Sequence, residues 1–96
     1  MLEGTRVVEF STDVAGAFTG RLLALYGADV IVVEPPRGHP IRHLPPWPDG
    51  KPSPDESVLF AYLGAGKRSV VLDLAATEDV AHARALITDE IGRAHV

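Results

Sequence analysis

A glycine-rich turn that carries two adjacent cations is the segment of this sequence best suited to binding an anion. It spans residues 64–69 (GAGKRS). Glycines let backbone N–H groups approach an anion, and neighbouring cations supply charge. A nucleoside-triphosphate loop would need glycine at the position of Ala61 and a helix after the lysine, so we exclude that type of loop. Two interpretations stay open, a general anion site and a solvated turn.

Small residues at the start of the first predicted helix could also admit a ligand. They are Ala15, Gly16 and Ala17, with Gly20 one turn later. The G-x-G-x-x-G fingerprint of dinucleotide folds is absent, although Glu34 stands where such a fold has its ribose-binding acid. The glycines therefore indicate either a close approach of helix to sheet or space for a ligand.

A basic cluster follows the second predicted strand. It consists of Arg37, His39, Arg42 and His43. Open α/β sheets bind ligands in the loops at the carboxyl ends of their strands, so this cluster is a candidate binding loop, and a solvated basic loop is the alternative. The other histidines lie elsewhere, so we expect no metal site. The carboxylates are scattered, and no Ser/His/Asp arrangement is identifiable.

Alternating strands and helices must position these residues. The pattern predicts strands at Thr5–Phe10, Asp29–Glu34 and Ser69–Asp73, and helices at Val14–Tyr26, Glu56–Leu63 and from Thr77 onward. Strand, helix and strand at this spacing predict a right-handed βαβ unit with parallel strands. The predicted apolar face of the first helix is Phe18, Leu22 and Tyr26, widened by Leu23 and Leu25. That of the last helix is Val80, Ala83 and Ile87.

All eight prolines lie between Pro35 and Pro54. Proline removes a backbone donor and disrupts helix interiors, so residues 35–54 are predicted to form a stiff, mostly extended loop. Loops of this length in compact domains are usually functional or disordered.

The composition of the chain limits what it can do. The 96 residues, 46% of them hydrophobic, allow one domain with a modest core. The absence of cysteine excludes disulfides, thiolate metal sites and a cysteine nucleophile. A formal charge of −4 argues against nucleic-acid binding, and no apolar run is long enough to span a membrane. No secretory signal is visible, so we expect a cytoplasmic protein.

Four stretches, taken in order, resemble the amino-terminal part of the class III (CaiB/BaiF-type) CoA-transferases, a family that includes α-methylacyl-CoA racemases. They are residues 2–11 (LEGTRVVEFS), residues 15–16 with 22–36 (LLALYGADVIVVEPP), Arg42, and residues 67–74 (KRSVVLDL). The resemblance implies that residues 1–89 form the incomplete amino-terminal portion of a parallel-sheet, Rossmann-like α/β CoA-transferase domain, with element order βαβ(α)βα.

The resemblance also implies roles for individual residues. Coenzyme A carries roughly four negative charges on its phosphates, which require cationic partners. The residues implied to bind CoA are Lys67, Arg68, Gly66, Pro35 and Arg42. The residues implied to lie near the reacting thioester are Val14, Ala15 and Gly16. No covalently bound cofactor is implied, since the CoA thioester is the substrate.

The sequence departs from the family pattern in several places. Glu9 replaces an aspartate, Ala17 a proline and Val32 a lysine, while Gly64 and Gly66 replace asparagines. The last change removes side-chain donors near the implied CoA site and leaves backbone amides in their place. The aspartate nucleophile that forms acyl-anhydride and aspartyl-CoA intermediates in this family is expected beyond the end of this chain.

The last seven residues, 90–96, break from the family pattern. Their back-translation matches the start of a common sequencing adapter, including an in-frame stop. Our hypothesis is that residues 90–96 are a non-native tail. A genuine stop codon after Val96 in genomic DNA would contradict it.

Two functions remain open from the sequence. The chain is an inactive amino-terminal fragment of a CoA-transferase or racemase that acts on acyl-CoA, or it is a free-standing α/β module that binds CoA or a nucleotide. Full-length family members are expected to form interlocked homodimers, which this fragment could not form. Nucleic acid and membranes are not expected partners.

Overall fold

The computed structural model describes residues 1–89 and places a three-stranded parallel sheet at their centre. Its elements are β1 (Arg6–Glu9), α1 (Val14–Leu25), β2 (Asp29–Glu34), α2 (Val58–Leu63), β3 (Lys67–Val71) and α3 (Thr77–Asp89). The central strand is β2, in which Val32 lies opposite Glu9 on one side and Ser69 on the other. The predicted α/β class with parallel pairing is therefore confirmed. Residues 90–96 of the suspected tail lie outside the described residues.

Helices cover both faces of this sheet because side chains alternate along each strand. On one face, the buried cluster of Val7, Ala28 and Val30 packs against Leu23 and Ala24 of α1. On the other face, the buried cluster consists of Val8, Val33, Leu72 and Ala83 of α3. The result is a three-layer α/β/α arrangement. None of the helices within residues 1–89 is long and apolar enough to cross a membrane.

The ends of α1 follow from local chemistry. The side chain of Asp13 caps the helix by accepting a hydrogen bond of 2.8 Å from the backbone N–H of Gly16. After the helix, Gly27 adopts a φ of 100°, which residues with a Cβ rarely adopt. The chain can therefore turn directly into β2.

The predicted packing face of α1 is wrong except for Leu23, which packs against the sheet. Phe18, Leu22 and Tyr26 are 43%, 39% and 53% exposed, whereas Ala17 and Gly20 are buried. The helix faces the sheet with its small residues because polar side chains of the sheet occupy the space beneath it. The larger apolar side chains therefore form an exposed stripe along the opposite side of α1.

The proline-rich loop, residues 35–54, is not mostly extended as predicted. It contains a 3₁₀ helix, Pro40–His43, whose first residue needs no backbone donor and so tolerates proline. Ile41 from this turn is fully buried and joins Ala17 of α1 and Leu63 of α2 in a third cluster. The 3₁₀ helix therefore anchors the loop against α1 and α2.

The starts of α2 and β3 and the packing face of α3 differ from the predicted ones. A short 3₁₀ helix, Pro54–Glu56, precedes α2, which begins at Val58. The third strand begins at Lys67, two residues earlier than predicted, because its ladder with β2 extends to Val30. On α3, Ile87 is exposed, while Ala83 and the partly buried Leu86 pack against the sheet.

Candidate functional site

A cleft opens at the carboxyl ends of β2 and β3. It has a volume of about 170 Å³ and is lined by Glu34, Pro36, Arg37, Gly38, Arg42, Pro54, Asp55 and Val71. Glu34 ends β2 and Val71 ends β3, so the cleft lies at the edge where open parallel sheets bind ligands. We refer to these eight residues as the cleft.

A larger cavity, of about 240 Å³, lies at the opposite edge of the sheet and is lined by Gly4, Thr5, Arg6 and Asp29. Within it, the Arg6 guanidinium is 3.1 Å from the Asp29 carboxylate. Because this cavity lies at the amino ends of β1 and β2, we favour the smaller cleft as the functional site.

The wall of the cleft is built around Arg42. Its Nε and Nη2 donate hydrogen bonds of 2.6 and 3.1 Å to the two carboxylate oxygens of Glu34. Its Nη1 donates to the carbonyl of Pro54 at 3.2 Å, and its guanidinium stacks 3.8 Å from the centre of the Phe60 ring. This paired geometry fixes arginine more firmly than a single contact would. The guanidinium therefore joins β2, both 3₁₀ segments and α2.

Glu34 is a buried carboxylate that stays charged. Burial raises its pKa, but hydrogen bonds from Arg42, the Ser69 hydroxyl and the backbone N–H of His39 outweigh burial and hold the pKa at about 2. A carboxylate with several donors retains its negative charge at neutral pH. Glu34 therefore balances Arg42 and leaves this part of the wall close to neutral.

A second buried network lies beneath α1. The ammonium of Lys67 is 2.6 Å from Glu9 Oε1, and the two side chains are only 3% and 0% exposed. The same ammonium donates a hydrogen bond of 2.9 Å to the carbonyl of Ala17. A Cβ at Gly20 would lie 1.9 Å from Glu9 Oε1, so the missing side chain makes room for the carboxylate. The predicted close approach at this glycine is thus a packing requirement.

Ser11 extends this network to the loop. Its hydroxyl lies between Glu9 Oε2 and His39 Nε2, with the latter at 2.9 Å. The backbone N–H of Ile41 donates to His39 Nδ1 at 3.1 Å, so we assign the ring proton to Nε2. His39 then donates to Ser11, which donates to Glu9. A histidine that activates serine must accept its proton, so this arrangement is not a catalytic dyad.

The predicted CoA-binding residues do not converge on one place. Arg42 and Pro35 are at or beside the cleft, and Gly66, with a φ of 79°, ends the turn before β3. Successive strand residues point to opposite faces, so Lys67 reaches Glu9 under α1 while Arg68 pairs with Asp29 at 2.6 Å. The two cations therefore do not form a single anion site.

The residues predicted near the thioester lie at the start of α1. Val14, Ala15 and Gly16 follow the carboxyl end of β1 and so share the sheet edge of the cleft. Gly16 is close to Ser11, since a Cβ at this glycine would lie 2.8 Å from the Cβ of the serine.

The network of Glu9, Ser11, His39 and Lys67 was not predicted from the sequence, and neither was the contribution of Phe60 to the wall. One signal was available for the network. Glu9 is a charged residue that directly follows the buried apolar Val7 and Val8 in the same strand, and a buried charge requires a partner. The identity of that partner was not readable, because Lys67 is far from Glu9 in the sequence.

The fold is that of an open α/β protein with a cleft at the carboxyl edge of its sheet. The sequence also matches the model of CoA-transferase family III over residues 2–89, and the chain belongs to that family.

Individual relatives agree with this assignment. The chain is 41% identical over 69 residues to the succinyl-CoA:(R)-benzylsuccinate CoA-transferase subunit BbsE of Thauera aromatica, covering 72% of this chain and 17% of that protein. It is 39% identical over 89 residues to the succinate–glutarate CoA-transferase of Agrobacterium fabrum, covering 90% and 22%.

A solved structure is similar as well. A CaiB/BaiF family protein from Brucella suis superimposes with a TM-score of 0.78 at 34% identity, covering 92% of this chain and 23% of that one. The chain thus spans about a fifth of the length of the relatives it matches.

Proposed function

We propose that this chain is the amino-terminal, CoA-binding part of a class III CoA-transferase, an enzyme that moves CoA from an acyl-CoA to a carboxylic acid. The observation that carries the proposal is the cleft at the carboxyl edge of the sheet, together with the exposed Arg37 that lines it. Family membership over residues 2–89 supports the chemistry, because the relatives are named CoA-transferases.

Arg37 is the phosphate-binding residue of this proposal. Within residues 1–89 its guanidinium forms no hydrogen bond or ion pair, whereas Arg42 directs its donors to Glu34 and Pro54. A free guanidinium can bind a phosphate through two parallel hydrogen bonds. Gly38, beside it, adopts a φ of 91° and adds no side chain to the cleft. The phosphates of CoA therefore have one accessible cation and an open surface beside it.

The other predicted contacts take different roles. Pro35 and Arg42 shape the wall beside the adenosine, and the segment from Val14 to Gly16 lies toward the thioester. For Gly66, Lys67 and Arg68, direct contact with CoA stays a prediction from the family resemblance. The ion pairs that occupy Lys67 and Arg68 give it no further support.

The complete reaction requires residues that this chain lacks. The aspartate nucleophile is expected in a segment that corresponds to the unmatched four fifths of the relatives, and the homodimer of the full-length enzyme is part of the same proposal. We therefore expect the isolated chain to bind CoA without transferring it. A racemase of the same family remains an alternative for the complete enzyme.

A free-standing CoA- or nucleotide-binding module is the second candidate. The observation that favours it is that the eight residues of the cleft all come from one continuous stretch, residues 34–71. Both candidates predict CoA binding, and they differ in whether a longer reading frame with a catalytic aspartate exists at the locus.

Calorimetric titration of the purified chain with CoA tests the binding proposal. R37A should weaken binding about tenfold, or about 1.4 kcal/mol, the loss expected for one charge-assisted contact. R84A is the matched control, because Arg84 is exposed on α3 and does not line the cleft. Equal losses in both variants would contradict a site at the cleft.

Two further measurements locate the phosphate and test the fragment assignment. Dephospho-CoA should bind R37A and the wild type equally if Arg37 contacts the 3′-phosphate, and unequally if it contacts the diphosphate.

Mixing the chain with an acyl-CoA and a free carboxylate should give no new thioester on chromatography. Turnover by the isolated chain would show that the nucleophile is already present.

A further inference from the structure

His39 lies where the two buried networks meet. Its side chain contacts Ser11 of the Glu9–Lys67 network, and its backbone N–H donates a hydrogen bond of 2.8 Å to Glu34 Oε1 of the cleft wall. The residue is 1% exposed and caps the 3₁₀ helix Pro40–His43, which carries Arg42. His39 therefore connects this 3₁₀ helix to both networks.

The cap depends on the protonation state of the ring. His39 Nδ1 accepts the hydrogen bond from the backbone N–H of Ile41, which requires an unprotonated nitrogen. Nε2 carries the ring proton and donates a hydrogen bond to the Ser11 hydroxyl. A doubly protonated ring would place an N–H against the N–H of Ile41. The cap would then lose its acceptor, and two donors would face each other.

The surroundings of the ring favour its neutral form. Burial lowers the pKa of His39 below its ordinary value of 6.5, and the ammonium of Lys67 on β3 acts in the same direction. The carboxylates of Glu9 on β1 and Glu34 on β2 act in the opposite direction without cancelling burial. From α2, the uncharged Phe60 ring packs 5.7 Å from the imidazole.

We propose that His39 is a positioning residue of the cleft. Its neutral imidazole holds the 3₁₀ helix in the place where Arg42 pairs with Glu34, and protonation of the ring frees the helix from this position. The step is a single proton uptake at Nδ1 from solvent. It breaks the hydrogen bond from Ile41 and no covalent bond. The inference concerns the wall itself and does not depend on which ligand the cleft binds.

Nitrogen-15 NMR of the full chain tests the first part of the proposal directly. Near neutral pH, the imidazole nitrogens of His39 should give the signature of a ring protonated at Nε2 alone. A ring protonated at Nδ1 would overturn the assignment, because that nitrogen could not accept from Ile41. This measurement needs no ligand, so it stands or falls separately from CoA binding.

Hydrogen exchange tests the release of the wall. As the pH is lowered through the range in which the nitrogen-15 signals show the His39 ring taking up its second proton, the protection factor of the Ile41 amide should fall at least about tenfold, while that of Val32 in the central strand stays high. H39N keeps an acceptor at the position of Nδ1, so its Ile41 amide should stay protected at both pH values. H39Q keeps a donor toward Ser11 but loses the cap, so its Ile41 amide should be unprotected at both.

Unchanged protection of Ile41 in the acidified wild type would contradict the proposal, as would equal behaviour of H39N and H39Q. If either variant fails to fold, the tautomer and the pH dependence of the wild type still decide the question. A fall in the protection of Val32 that parallels that of Ile41 would indicate global unfolding and would also count against a local release.

Discussion

The contact between Gly20 and Glu9 gives the sharpest prediction of this structure. Glycine inside a helix is unfavourable relative to alanine by about 1 kcal/mol, so G20A in α1 would stabilise an unobstructed helix. Here the new Cβ would lie 1.9 Å from Glu9 Oε1 and 3.0 Å from the Lys67 ammonium. The carboxylate would have to move, although it is fully buried and held in an ion pair.

The size of the effect follows from these opposing contributions. Overpacking and displacement of a buried ion pair together cost about 3 kcal/mol. Helix propensity offsets about 1 kcal/mol of this, so G20A should reduce the free energy of unfolding by about 2 kcal/mol. E9D withdraws the carboxylate by one carbon–carbon bond, about 1.5 Å. In the E9D background the same substitution should be neutral or slightly stabilising.

Urea unfolding followed by circular dichroism measures all four chains of this double-mutant cycle. T19A is the matched control, since Thr19 is the exposed neighbour of Gly20 and, within residues 1–89, its hydroxyl bonds only to the carbonyl of Ala15. Its effect should be the same in both backgrounds. Equal costs of G20A with and without E9D would refute the argument, because they would place the strain away from the carboxylate.

Three further results are expected. Because the pKa of Glu34 is about 2 rather than 4.5, its ionised form stabilises the folded state above pH 4.5. This contribution to the free energy of unfolding, up to about 3 kcal/mol, should be lost as the pH falls toward 2. Urea unfolding at a series of pH values measures the loss, and a flat profile would contradict it. R42K removes the paired hydrogen bonds and the stacking on Phe60, and should lower the unfolding free energy by about 1–2 kcal/mol in the same assay; an unchanged midpoint would argue against that geometry. L22K replaces an exposed apolar side chain, so it should change the free energy of unfolding by less than about 0.5 kcal/mol in the same assay; a loss of more than about 1 kcal/mol would contradict the exposed position of Leu22.

The sheet and its parallel pairing were predictable because the strands are short apolar runs bounded by clear turn residues. Asp29–Glu34 has the same bounds in the structure as in the prediction. The packing of α1 was not predictable from periodicity, because Phe18 and Leu22 form a regular stripe whichever side faces the sheet. What decides the orientation is the buried pair of Glu9 and Lys67, which only small helix residues can cover.

The candidate site was predictable in location and only partly in chemistry. The rule that ligands bind at the carboxyl edge of a parallel sheet leads to the loop after Glu34, where the cleft lies. The interpretation of that loop as solvated and basic is wrong for His39 and Arg42, which are tied to Ser11 and Glu34. Such pairings join residues far apart in the sequence, and local patterns carry no information about them.

Glu9 and Glu34, at the carboxyl edge of the sheet, explain why this edge binds an anion less well than its number of cations suggests. Glu9 ends β1 and Glu34 ends β2, and each neutralises one buried or half-buried cation before a ligand arrives. A polyanion at the cleft therefore meets Arg37 as its accessible positive charge, with the carboxylate of Asp55 also lining the same space. The electrostatic part of CoA affinity in this chain should then depend on Arg37 far more than on Lys67 or Arg42. Substitution of the two paired cations would act first on stability, and only through the shape of the wall on binding.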